Sequence, residues 1–231
     1  MNILVVGGSR GIGRAIAMQL AADNNRVLIA GRNKETLQKT VKEICENAHF
    51  YQADITKEED SNALAEYVTS EFPIDGLILS AAQFPKQETK TSVIEPDVAE
   101  LSSILEANVV ANYRFVKNLM PFLQKRPNPR IVIIGSTSGI RQDKGGVYGI
   151  SKWALASYAY NLRDECKKYG IGVSLINPGG TFTETRTKKS ENDQSLLESS
   201  DFGYLVSALF KMSPQAVMER VDIRPLAGDT Y

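Results

Sequence analysis

The chain has 231 residues, and its 27 basic and 27 acidic side chains cancel. Balanced charge gives no sequence-wide positive field to hold a nucleic-acid backbone or an anionic membrane, so a small-molecule partner is expected. No apolar run approaches the roughly 20 residues that a membrane-spanning helix needs, and a strand-like run begins at once where a secretory signal would stand, so the expected location is the cytoplasm.

In chain order, short apolar runs appear at Ile3 to Val6, Val27 to Ala30, His49 to Ala53, Leu77 to Leu79, Ile131 to Ile134, Val173 to Ile176 and Val221 to Ile223. Their apolarity is continuous rather than alternating, which is the mark of a parallel sheet covered on both faces. Helical stretches separate them, so the expected fold is α/β: a Rossmann-like, doubly wound parallel sheet of about seven strands. With no repeat or linker to divide it, residues 1–231 read as one domain. Asn33 is expected to cap the helix after the second strand, and Thr56 with Glu59 to form a capping box after the third. Residues 83–92 and 183–195 lack apolar periodicity and should be loops at the ligand-binding ends of strands. Cys45 and Cys166 stand far apart with only His49 as an imidazole, so they read as reduced packing residues with no metal site.

Directly after the first strand comes Gly7-Gly8-Ser9-Arg10-Gly11-Ile12-Gly13, running into a helix. Gly7 permits a tight turn, Gly11 and Gly13 let the backbone approach a pyrophosphate, and the helix N-terminus offers it free amides. The second strand ends Ala30-Gly31-Arg32-Asn33, without the acidic residue that would select NAD. Arg32 and Arg10 can instead pair with a 2′-phosphate, which points to NADP; the alternative is a solvated arginine before a cap. Asp54, after the third strand, either accepts from the adenine amino group or simply ends the strand.

Tyr148 and Lys152 lie four apart in a helical stretch and share a face. A phenol has a pKa of about 10, and a neighbouring ammonium lowers it, making a general acid/base for a carbonyl or an alcohol. Ser136, ending the fifth strand, can hold the substrate oxygen beside that phenol, with Ser138 as a competitor. Asn108 interrupts an apolar helical stretch and must find partners. Arg141 and Lys144 either meet a polar substrate or are solvated loop charges.

These separated motifs, in order over essentially the whole chain, resemble the short-chain dehydrogenase/reductase family. The resemblance implies that Gly7, Ser9, Arg10, Gly11, Ile12 and Gly13 form the cofactor turn, that Arg32 and Asn33 flank the adenosine, and that Asp54-Ile55 contact the adenine. Ser80 and Ala81 would border the cofactor after the fourth strand. Asn108, Ser136, Tyr148 and Lys152 match the catalytic tetrad: Tyr148 as acid/base, Lys152 on the nicotinamide ribose and lowering the tyrosine pKa, Ser136 on the substrate, and Asn108 holding a water. Pro178, Gly179, Thr181 and Thr183 would contact the nicotinamide end.

Three departures stand out. Val6 replaces a threonine, Gly135 replaces the first of two serines, and Leu79-Ser80-Ala81-Ala82 replaces N-N-A-G. The last puts adenosine contacts in doubt, not the chemistry. The implied activity is NADP(H)-dependent hydride transfer to a carbonyl or from an alcohol, in a homodimer or homotetramer. The rival reading is a catalytically silent NADP-binding sensor or scaffold on the same fold.

Overall fold

The computed structural model describes residues 1–44, 47–86, 88, 91–141, 145–184 and 195–228. Seven strands, β1 (Asn2–Val6), β2 (Arg26–Gly31), β3 (Ala48–Gln52), β4 (Gly76–Leu79), β5 (Arg130–Ile134), β6 (Gly172–Pro178) and β7 (Arg220–Ile223), form one parallel sheet in the order β3-β2-β1-β4-β5-β6-β7. Each is an apolar run expected from the sequence, shifted by no more than a residue or two at its ends.

The continuous apolarity is explained by the two cores. Leu4 and Val6 of β1 face one way and pack with Leu64, Phe115 and Leu155, from helices α3 (Glu58–Ser70), α5 (Ala111–Leu123) and α6 (Gly146–Cys166). Ile3 and Val5 face the other way and pack with Ile16, Leu20, Leu37 and Phe202, from α1 (Gly11–Ala22), α2 (Lys34–Ile44) and α7 (Ser199–Lys211). Almost every position of the central strands is therefore taken out of water, and alternation has no face to mark. Strand order reverses between β1 and β4, so their C-terminal ends open a crevice where ligands of such sheets bind.

Asn33 caps α2 as expected, accepting from the Thr36 amide at 2.9 Å. The capping box at Thr56 and Glu59 does not form. Helix α3 begins one residue later, with Lys57 at the N-cap and no side-chain cap. Asp54 has captured Thr56 instead, accepting from its hydroxyl at 2.7 Å and its amide at 3.1 Å. An aspartate competes well for amides two residues on, and Glu58, Glu59 and Asp60 in the first turn satisfy the positive helix end by charge.

The helix α4 (Val98–Leu105) runs into α5 through one π-helical turn at Glu106–Val110, which contains Asn108. Cys166 is a buried free thiol, as expected, whereas Cys45 and Lys144 lie outside the described residues. So do parts of both expected loops; in the described part of 83–92 there is no strand or α-helix.

Candidate active site

The turn after β1 is shaped by what its glycines touch. Gly7 has φ +83°, and a Cβ there would lie 2.5 Å from the Ala81 amide nitrogen. A Cβ on Gly13 would lie 2.3 Å from the Gly7 carbonyl oxygen, so its small size serves helix-to-strand packing. Ser80 Oγ sits 3.1 Å from that same point, placing the Ser80-Ala81 segment against the turn. The N-terminus of α1 receives no side-chain cap from Arg10 and carries no acid in its first turn. The free amide of Gly11 is met from a distance, donating to Glu184 Oε2 at 2.9 Å. A carboxylate held on that amide shows that this helix end attracts an anion.

Arg10 and Arg32 are both exposed, and neither forms an ion pair among the described residues. They stand at the two sides of the β1 and β2 C-terminal ends, free to pair with a phosphate. Asp54 Oδ1 is committed to Thr56, while Oδ2 accepts no hydrogen bond among the described residues. Ile55 beside it is buried. By charge and hydrogen-bonding chemistry these side chains suit an adenosine phosphate.

The acid/base group gathers at the C-terminal end of β5. Ser136 caps a short 3₁₀ turn, Thr137–Gly139, its Oγ accepting from the Ser138 amide at 3.1 Å. Its side chain lies beside the Tyr148 phenol, close enough to ease its ionisation, which favours Ser136 over Ser138 as the neighbour of that group. Lys152, 2% exposed, donates to the Ile134 carbonyl at 3.0 Å and holds its ammonium 5.5 Å from the Tyr148 ring centroid. A Cβ on Gly139 would lie 2.6 Å from the Lys152 carbonyl oxygen, so the 3₁₀ turn is pressed against α6.

The electrostatics differ from the sequence expectation. Burial pushes the Tyr148 phenol well above its ordinary value, and the neighbouring Ser136 side chain only partly opposes this. Burial also lowers the Lys152 ammonium to about 8. In this structure desolvation outweighs the attraction between phenolate and ammonium, so the lysine does not by itself make the phenol acidic.

Asn108 is fully buried and clamps the segment after β4. Its Oδ1 accepts from the Gln83 amide at 2.7 Å, and its Nδ2 donates to the Gln83 carbonyl at 3.0 Å and to Ser151 Oγ at 2.9 Å. Ser151 in turn donates to the Tyr148 carbonyl at 2.7 Å. Both Nδ2 hydrogens are given to protein groups, so the side chain ties the β4 end to the tyrosine helix. The clamp also fixes the next residue, Phe84, whose ring stacks on Tyr148 with centroids 4.8 Å apart and planes at 20°. Phe84 is 63% exposed, an aromatic wall at the mouth of the site that no periodicity announced.

On the far side, Pro178 ends β6 and the chain continues past Gly179 into a segment held by Thr181 Oγ1 donating to the Gly179 carbonyl at 3.0 Å. Thr181 also pairs with Leu197, which ties the segment to the start of α7. Thr183 comes within 3.1 Å of a Cβ position on Gly11, and a cleft lined by Gly11, Arg14, Phe182 and Thr183 opens there. Among the described residues no cluster of side chains suits a metal.

The order of turn, arginines, buried lysine and tyrosine around one parallel-sheet crevice defines a dinucleotide-binding oxidoreductase scaffold. The family model for short chain dehydrogenases matches residues 1–194, and the chain belongs to that family. Among its relatives is an uncharacterized oxidoreductase of Staphylococcus aureus (strain MRSA252), 26% identical over 226 residues and covering 96% of both chains. A short chain dehydrogenase from Burkholderia cenocepacia, solved in complex with NADP, superposes with a TM-score of 0.86 at 26% identity, covering 97% of this chain and 96% of that one. The fold is shared as well with an alcohol dehydrogenase from Thermococcus sibiricus complexed with 5-hydroxy-NADP (TM-score 0.87, 21% identity, coverage 99% and 98%).

Proposed function

We propose that this protein transfers hydride between NADP(H) and a carbonyl or alcohol substrate, with Tyr148 as general acid/base. The observation that carries the reading is the meeting of the Ser136 hydroxyl, the Tyr148 phenol and the buried Lys152 ammonium at the end of β5, in the crevice that the glycine turn borders. When bound, the nicotinamide supplies or accepts the hydride.

The chain's own residues divide the remaining work. The Gly7 to Gly13 turn, with Ser9 and Ile12 in it, and the amides of α1 would hold the pyrophosphate. Arg10 and Arg32 would pair with the 2′-phosphate, with Asn33 beside them and Asp54 and Ile55 against the adenine. Lys152 has donor hydrogens beyond the one given to Ile134, and these would hold the ribose hydroxyls. Ser80, Ala81, Pro178, Gly179, Thr181 and Thr183 would border the cofactor. Ser136 would fix the substrate oxygen beside the phenol. Tyr148, kept protonated by burial, is suited to give its proton to that oxygen in the reductive direction and to recover one in the reverse.

The complexes of relatives with NADP, and two arginines that form no ion pair among the described residues, support NADP over NAD. Exposed Tyr113, Ile150, Trp153 and Tyr160, on α5 and α6, support burial against another copy, giving a homodimer or homotetramer in the cytoplasm. A panel of aldehydes, ketones and alcohols followed by NADPH absorbance tests the reading. Turnover by the parent and none by Tyr148→Phe is expected; NADPH binding without turnover of any panel member would favour a silent sensor.

A further inference from the structure

The family resemblance expects a serine at 135, and here a glycine stands there. A Cβ on Gly135 would lie 2.2 Å from Asn177 Oδ1, so the missing side chain leaves room for another one, 42 residues on at the paired end of β6. Asn177 is fully buried. Its Oδ1 accepts from the Ser136 amide at 3.2 Å, and its Nδ2 donates to Asp222 Oδ1 at 2.8 Å.

The direction of that amide is dictated by chemistry. An ionised carboxylate only accepts, so Asn177 must turn its NH₂ to Asp222 and its oxygen to Ser136. Burial opposes ionisation of Asp222, but hydrogen bonds from Arg220 and Asn177 outweigh it and hold the carboxyl below its ordinary range. Arg220 Nε donates to both oxygens of Asp222 at 2.9 Å, and its Nη1 reaches the Tyr160 hydroxyl at 3.4 Å. Tyr160 lies on α6, the helix that carries Tyr148 and Lys152. A relay of fixed bonds thus runs from the edge strand β7 through β6 to the residue that faces the phenol.

Resting on the function proposed above, we infer that Asn177, oriented by the Asp222–Arg220 pair and admitted by Gly135, is a positioning residue that sets the Ser136 hydroxyl against Tyr148. Asn177 touches neither substrate nor phenol; it acts through the Ser136 backbone. Ionisable groups facing it are Asp222 and Arg220 from β7 and, through Arg220, Tyr160 from α6.

The decisive variants are Asn177→Ala, Asn177→Asp and the pair Gly135→Ser with Gly135→Ser/Asn177→Ala. Asn177→Ala is expected to lower kcat about tenfold, with the NADPH Kd changed by less than roughly twofold. Asn177→Asp puts two carboxyls together, which must share a proton. That shared proton restores the donor toward Asp222, so activity persists at low pH and falls as the pH rises, a limb the parent lacks. Gly135→Ser alone should lower Tm, and adding Asn177→Ala should recover it, because the serine then has its space. A crystal structure of Asn177→Ala should show the Ser136 hydroxyl withdrawn from Tyr148. Unchanged kcat, a parental pH profile in Asn177→Asp, additive stability effects, or an unmoved Ser136 in the crystal would each overturn the inference. If the parent turns over no panel substrate, the functional reading fails instead, and the crystal structure and the stability pair still decide the role of Asn177.

Discussion

The two ends of the crevice are built on opposite plans. Around Ser136, Tyr148 and Lys152 almost every polar group is buried and most are already bonded to protein: the ammonium to Ile134, the serine hydroxyl to Ser138, the Asn108 amide to Gln83 and Ser151. At the end proposed for the adenosine, Arg10 and Arg32 are exposed and make no ion pair among the described residues. The contrast teaches where precision is needed. Chemistry tolerates little displacement of a proton donor, so its surroundings are rigid before any ligand arrives. Phosphate recognition can be completed by the ligand itself, because flexible cations lose little by waiting in water.

This contrast can be broken by substitution at either end. The largest effect belongs to Tyr148→Phe, which should lower kcat by roughly 10²–10⁴-fold with cofactor affinity nearly intact, measured by steady-state rates and NADPH fluorescence. If binding collapses together with rate, the rigid end is a binding element and the division of labour is wrong. Next comes Gly13→Ala, whose methyl must push the Gly7 carbonyl aside; a stability loss of about 1–3 kcal/mol in thermal or urea unfolding and weakened NADPH binding are expected. Arg32→Ala should weaken NADPH about tenfold while leaving NADH nearly unchanged, and high salt should shrink the difference. Equal losses for both cofactors would show that the arginine does not read the 2′-phosphate.

The smallest effect is a pH dependence of stability. Burial depresses the Lys152 pKa to about 8, below the ordinary value of 10.5, so between those limits the unfolded chain binds a proton that the folded chain does not. Stability contributed by this group therefore rises with pH across that window. In unfolding measurements from pH 8 to 10, Lys152→Met should lack that increment relative to the parent; identical slopes would mean that the ammonium is better solvated than its burial implies.

Much of this was legible in the chain. The seven strands were, because residues buried on both faces leave an unbroken apolar signature, as in Ile131 to Ile134. The glycine turn and the Tyr148–Lys152 pair were too, since both depend on local spacing. What escaped was decided between distant residues. Thr56 looked like a cap until Asp54 took its hydroxyl. Glu184 reaches Gly11 across 173 positions, and the space that excludes a serine at 135 is filled from β6. Phe84 carries no periodic signal, because an Asn108 clamp on its neighbour, not a helix or strand, sets its place. The depressed lysine and raised phenol also lay beyond sequence, since spacing reveals a neighbouring charge but not the amount of water removed.

Cys166 closes α6 in the interior, fully buried, with its thiol pushed up to about 11 by burial and, secondarily, by Glu165. A sulfur so placed is nearly inert to alkylating reagents while the fold is closed. Its rate of labelling is accordingly a clock for the breathing of the far end of the tyrosine helix, readable by mass spectrometry without substrate. NADPH that tightens the crevice should slow that clock.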